Sequence, residues 1–198
     1  MLSIFFGYVF VMFHINLYRL DLLPDFVGYI FMISGFDAIE DESTDFRLAK
    51  KLSMLMLAFT FVHTTLKYTQ LMLGTSDWFN SVSSFALSFI AIIAFLGISW
   101  YLAKGIEDME VTHRKKLGAK GLKRIVVLMI ISSLSVKFLM GIPTELTHIT
   151  GEFLYFVTMA TNVVFLIQFY RTKKLMDKND GKKITRYEIV YTDETKQH

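Results

Sequence analysis

Residues 79–103 read FNSVSSFALSFIAIIAFLGISWYLA, an unbroken run from Phe79 to Ala103 without Asp, Glu, Lys or Arg. A membrane-crossing helix needs roughly 20 mostly apolar residues, and this run is long enough for one pass. Residues 1–18 and 153–170 are equally free of charged side chains, whereas charge is crowded into 37–51, 104–124 and 171–198. The bulk figures alone decide little. The chain is 53% hydrophobic and 20% charged, against about 45–50% and about 25% for soluble domains. It is the segregation that excludes both an ordinary soluble domain and a disordered chain. The expected fold is therefore all-α, a polytopic helical bundle in the membrane.

Six spans are predicted, at about 2–18, 22–39, 52–73, 79–103, 125–142 and 153–170. They make a transmembrane domain over 1–170, followed by a basic, flexible tail over 171–198. Asp25 and Asp37 bracket an apolar stretch too short to cross alone, so five spans with a re-entrant 22–39 is the alternative. The first apolar stretch lacks the basic flank of a cleaved signal and is expected to be retained as a helix.

Lysine and arginine set the orientation. With six spans, the external loops carry only Arg19. The internal ones carry Arg47, Lys50, Lys51, then Lys104, Arg114, Lys115, Lys116, Lys120, Lys123 and Arg124, then the cations of the tail. The positive-inside rule places both termini on the cytoplasmic side of the cell membrane. Trp78, Trp100, Tyr101 and Tyr170 fall at span ends, where amphipathic rings anchor at headgroup level. The basic residues are explained by orientation beside apolar spans, so no nucleic-acid partner is expected.

The most specific string is Asp21-Leu22-Leu23-Pro24-Asp25-Phe26-Val27-Gly28-Tyr29. It reads as a helix start: proline is tolerated in a first turn, and Asp25 complements the positive helix end. Gly28 and Gly35 lie seven apart on nearly one face and would let another helix approach closely. With Phe5-Phe6-Gly7-Tyr8-Val9-Phe10 before it, the string resembles a group of small polytopic membrane proteins of Gram-positive bacteria. Those carry a Leu-Pro-Asp-Phe-Ile-Gly-Tyr stretch between their first two apolar segments. The resemblance covers about the first 50 residues, with Val27 in the isoleucine position. It implies a bacterial membrane protein whose first two spans form a hairpin, and it implies no activity.

Ionisable groups inside spans are costly and mark candidate sites. Lys67 and Lys137 lie toward the outer ends of their helices, from which each ammonium could snorkel to the headgroups. They also have company. His63, Lys67 and Gln70 share a face, as do Ser133 with Lys137 and Thr158 with Asn162. Together with Asp25, Glu145, His148 and Glu152 in or near outer loops, these would line one outward-facing polar cavity. The candidate binding residues are thus Lys67, Lys137, His63, Asn162 and Asp25. The Ser81-Ser84-Ser88-Ala91 face is read instead as small residues packing between spans.

Glu145-Leu146-Thr147-His148 has Glu-x-x-His spacing, but a di-iron bundle needs two such motifs and two further glutamates. No metal and no cofactor is expected. The absence of cysteine removes disulfides and thiolate chemistry. Hydrolase, nucleotide-binding and zinc-protease signatures are absent as well, and no catalytic residue is assigned. The first functional expectation is a non-enzymatic accessory, regulatory or assembly subunit that engages membrane or cytoplasmic proteins through the 104–124 loop or the tail. The alternative is a small-solute binding or transport subunit built on the polar cavity, and after it an intramembrane enzyme of unrecognised type.

Overall fold

Among the described residues, six α-helices follow one another: α1 (Leu2–Met12), α2 (Asp25–Asp37), α3 (Thr44–Leu73), α4 (Trp78–Thr112), α5 (Ala119–Met140) and α6 (Glu145–Glu194). This computed structural model describes residues 1–12, 16–17, 20–21, 25–73, 78–114, 116–140 and 145–194. Side chains are described for 1–12, 25–66, 88–114, 116–139 and 150–178. Between α1 and α2, two short strands, β1 (Asn16–Leu17) and β2 (Leu20–Asp21), pair antiparallel with Leu17 opposite Leu20. Each helix packs on its neighbours in sequence, and α6 returns to α1, so the six close into a ring.

The first two spans differ from expectation. Helix α1 spans Leu2–Met12, and Asn16–Leu17, expected within the first span, belong instead to the β1–β2 ladder; residues 13–15 and 18 lie outside the described residues. Helix α2 has 13 residues, about 20 Å at 1.5 Å per residue, and is shorter than the predicted 22–39. What pairs them is glycine. A Cβ on Gly28 would lie 2.6 Å from Val11 Cγ2 and 2.8 Å from the Gly7 carbonyl oxygen. A Cβ on Gly35 would run into Ile4. Only hydrogen at these positions allows the two backbones to come so close.

The core lies in the half of the ring nearer the charged loops. Tyr8 stands in its middle, its ring centroid 5.5 Å from Phe95 on α4 and 5.0 Å and 6.1 Å from Phe165 and Phe169 on α6. These are the tilted and edge-on arrangements that aromatic quadrupoles favour. Phe36, Phe46, Met32, Leu102, Ile106 and Leu122 are buried around it.

At the charged end most of 104–124, named above as a loop, is helical: α4 runs on to Thr112, and α5 begins at Ala119. Its backbone hydrogen bonds continue until the turn holding Arg114 and Gly118, both at positive φ. The helical extension carries carboxylates that pair within the molecule. Ser43 caps α3, accepting from Asp45 N at 3.1 Å, and its hydroxyl donates to Asp108 at 2.7 Å. Lys123 meets Glu107 at 2.8 Å and lies over the Trp100 ring, and Glu110 accepts from Ala119 N at 2.9 Å. Lys50 bonds Asp37 and Glu40, and His113 meets Glu42 at 2.9 Å. Beyond the last apolar stretch, α6 continues as helix to Glu194.

Asp45 titrates against the fold. Burial pushes its carboxyl above the ordinary range, Lys104 at 3.7 Å opposes, and Asp108 adds to the rise. The folded state therefore holds this proton more tightly than the unfolded chain does. The ionised carboxylate costs stability at neutral pH, and that cost is relieved as pH falls through the raised value. Asp45→Asn should melt higher than wild type near about pH 7.5, with the gap closing toward about pH 4. A pH-independent difference in thermal midpoint would contradict this.

Among the described residues, Ser88–Thr112 and Thr150–Lys178 are long and apolar enough to cross a membrane, with mean hydropathy 1.9 and 1.6. The second has only 17% of its apolar window buried, unlike the core helix of a soluble protein. Outward-facing Phe138, Phe153 and Phe156 are 75%, 68% and 69% exposed. Apolar faces of this extent belong against lipid or another apolar surface rather than water. Membrane association is thus supported by two helices and by the character of the ring's outer wall.

Candidate functional site

In the half of the ring away from the charged loops, the helices surround a half-open cavity of about 630 Å³. All six contribute to its wall: Val11 and Met12 from α1, Asp25 and Tyr29 from α2, Phe59, Thr60 and His63 from α3. Helix α4 adds Ser88, Ala91, Ile92, Phe95 and Leu96. Helix α5 adds Ser133, Val136 and Lys137, and α6 adds Tyr155, Thr158 and Asn162. The size falls within the roughly 300–1,000 Å³ of small-molecule pockets, and so does the composition, a mainly apolar wall with a few placed polar groups.

Helical spacing explains why these polar groups converge. Ser133 and Lys137 are four apart on α5, Thr158 and Asn162 four apart on α6, and Thr60 and His63 three apart on α3. Each pair occupies one face, and the ring turns that face inward. Lys137 Nζ donates to Ser88 Oγ at 3.1 Å, bridging α5 to α4. His63 stacks on Phe59 one turn earlier, with ring centroids 6.4 Å apart and planes 12° apart. Thr60 donates to the Met56 carbonyl at 2.7 Å and Thr158 to the Leu154 carbonyl at 3.0 Å. Their protons are thereby committed to the backbone, so both hydroxyls present acceptor lone pairs to the cavity.

The chemical inventory is one ammonium, one carboxylate, one imidazole, one amide and several hydroxyls around an apolar pocket. Four of the five candidate residues, Asp25, His63, Lys137 and Asn162, share this wall. The fifth, Lys67, is placed on α3, but its side chain lies outside the described residues. So do the side chains of Gln70, Glu145 and His148, along with His14 and Arg19. Glu152 is described and exposed, and it is not on the wall.

Of the two orientations open to Lys137 from sequence, outward snorkelling or an inward polar face, the side chain takes the second and reaches Ser88. One point differs from the reading of sequence alone. Ser88 and Ala91, read as a packing stripe, line the cavity instead, while Ser81 and Ser84 have side chains outside the described residues. Tyr29, Thr60 and Tyr155 were not singled out. The signal for Thr60 was available, because it precedes His63 by three residues on the same face.

Compared with known proteins, the chain matches no family model, no curated protein and no solved structure.

Proposed function

We propose that this chain is a multi-pass membrane protein that binds a small amphipathic molecule bearing an acidic group in the six-helix cavity. The observation that carries the reading is the convergence of Lys137, Asp25, His63 and Asn162 on one mainly apolar wall. Lys137 supplies the cation for the acidic group. Asp25 accepts from a donor on the same molecule, and the apolar belt around Ile92, Phe95 and Val136 takes its body.

The six-pass topology, with both termini on the basic, cytoplasmic side of the cell membrane, is part of this proposal. Its support is the crowding of lysine and arginine at one end and the apolar outer faces of α3, α5 and α6. The cavity then opens from the opposite half. The kinship with small Gram-positive membrane proteins carrying Leu-Pro-Asp-Phe-Ile-Gly-Tyr belongs with the proposal as well. An accessory role through residues 104–124 has less to recommend it. Glu107, Asp108, Glu110 and Lys123 already pair inside the molecule, which leaves fewer groups there for docking a partner.

The natural absence of cysteine makes a direct test simple. Single substitutions Asn162→Cys, Ile167→Cys and Lys120→Cys are exposed in whole cells to a charged, membrane-impermeant thiol reagent. Asn162→Cys should react from outside. Ile167→Cys, on the outward apolar face of the same helix, should stay unreactive, and Lys120→Cys should react only after permeabilisation. An unreactive Asn162→Cys, or Lys120→Cys labelled in intact cells, would sink the reading.

A further inference from the structure

A second groove lies at the seam where α6 returns to α1. It is an open surface groove of about 540 Å³ and shares no lining residue with the polar cavity. Phe5 of α1 forms one side; Val163, Ile167 and Tyr170 of α6 form the other, with Arg171 and Lys174 at its end. These α6 residues recur at three- and four-residue intervals, so they make one continuous strip on a single helix face. The strip changes character along its length. It is apolar from Val163 to Ile167, aromatic at Tyr170, where the ring meets Phe5 at 5.6 Å, and cationic at Arg171 and Lys174. Measured from Val163 to Lys174 it extends about 16 Å at 1.5 Å per residue.

We infer that this seam holds an anionic phospholipid of the cytoplasmic leaflet, its phosphate at Arg171 and Lys174 and an acyl chain along Ile167 and Val163. The inference rests on the membrane orientation proposed above, not on the cavity's ligand. Three features favour a lipid over a protein helix or a soluble anion. The groove is apolar toward the membrane interior and basic toward the charged end, the same gradient a phospholipid carries in reverse sign. Tyr170 sits at the change of polarity, where aromatic rings prefer the interface. Basic pockets between membrane helices on the cytoplasmic side are suited to phosphate headgroups, each cation adding to the preference for anionic lipid. Arginine can meet two phosphate oxygens at once, and lysine adds a point charge beside it.

The test is native mass spectrometry of the full chain in mixed micelles of phosphatidylglycerol and phosphatidylcholine with identical acyl chains. Wild type should retain phosphatidylglycerol at least about tenfold over phosphatidylcholine. The double variant Arg171→Gln, Lys174→Gln should approach parity. Both side chains are exposed, so the fold should tolerate the change, and an unshifted thermal midpoint checks this. A control with Lys116→Gln and Lys120→Gln, cations at the same end but away from the groove, should behave as wild type. Parity in wild type, or equal loss in the control, would overturn the inference, as would displacement of the lipid by millimolar inorganic phosphate. Extraction of the protein from membranes by alkaline carbonate would instead defeat the membrane reading. Retention in the membrane without lipid preference would defeat the groove alone.

Discussion

Gly28→Leu is expected to destabilise the protein by about 3 kcal/mol, because the side chain would have to occupy space held by backbone. The nearest obstacles to a Cβ at residue 28 are Val11 Cγ2 at 2.6 Å and the Gly7 carbonyl oxygen at 2.8 Å. The valine methyl can rotate aside; the carbonyl can move only with its helix. Even Gly28→Ala should lower stability, although alanine raises intrinsic helix propensity by about 1 kcal/mol. Gly151 on α6 supplies the contrast, since a Cβ there meets nothing within 4 Å. Gly151→Ala should be neutral or stabilise by up to about 1 kcal/mol. Thermal unfolding in detergent reads all three, and a wild-type midpoint for Gly28→Leu would mean that α1 and α2 do not pack through their glycines.

Lys137→Met should weaken binding of the cavity's molecule about thirtyfold, as expected when a half-buried charged hydrogen-bonding partner is removed. Methionine keeps the volume and the apolar stem, so the loss reports the ammonium. The substitution also breaks the bond to Ser88, and Ser88→Ala separates the two effects by keeping the cation while losing that contact. Ser88→Ala should cost only a few-fold. The measurement is calorimetric titration with the small molecule released from denatured wild-type protein. Equal affinity for Lys137→Met and wild type would remove Lys137 from the site.

The central and last long helices were legible because an uncharged run such as 79–103 has few alternatives to a long apolar helix. The inward polar faces were legible for a related reason. Residues four apart on a helix must point the same way, so placing Asn162 inside carries Thr158 with it. Elsewhere the pattern was ambiguous. Ser81-Ser84-Ser88-Ala91 fits a packing stripe and a cavity wall equally well, and only the neighbour facing it, Lys137, decides between them. The ends of helices were the least readable. Charges at Glu107, Asp108 and Glu110 mark where a helix leaves the apolar zone, not where its hydrogen bonds stop. That stop comes with the positive φ of Arg114 and Gly118. Near the start of the chain, the apolar run to residue 18 conceals the turn into β1, because the same residue types suit a span and a short ladder.

The closure of the ring by α6 against α1 has a consequence for biosynthesis. A ribosome delivers α1 first and α6 last, so Tyr8 must wait for Phe165 and Phe169 until the sixth helix has been made. The glycine-packed α1–α2 pair can assemble while translation continues, but the seam cannot. Until then the nascent bundle has an open flank, with its polar wall uncovered. A chain stalled before α6 would hold α1 to α5 with neither the aromatic seam nor the sixth wall of the cavity.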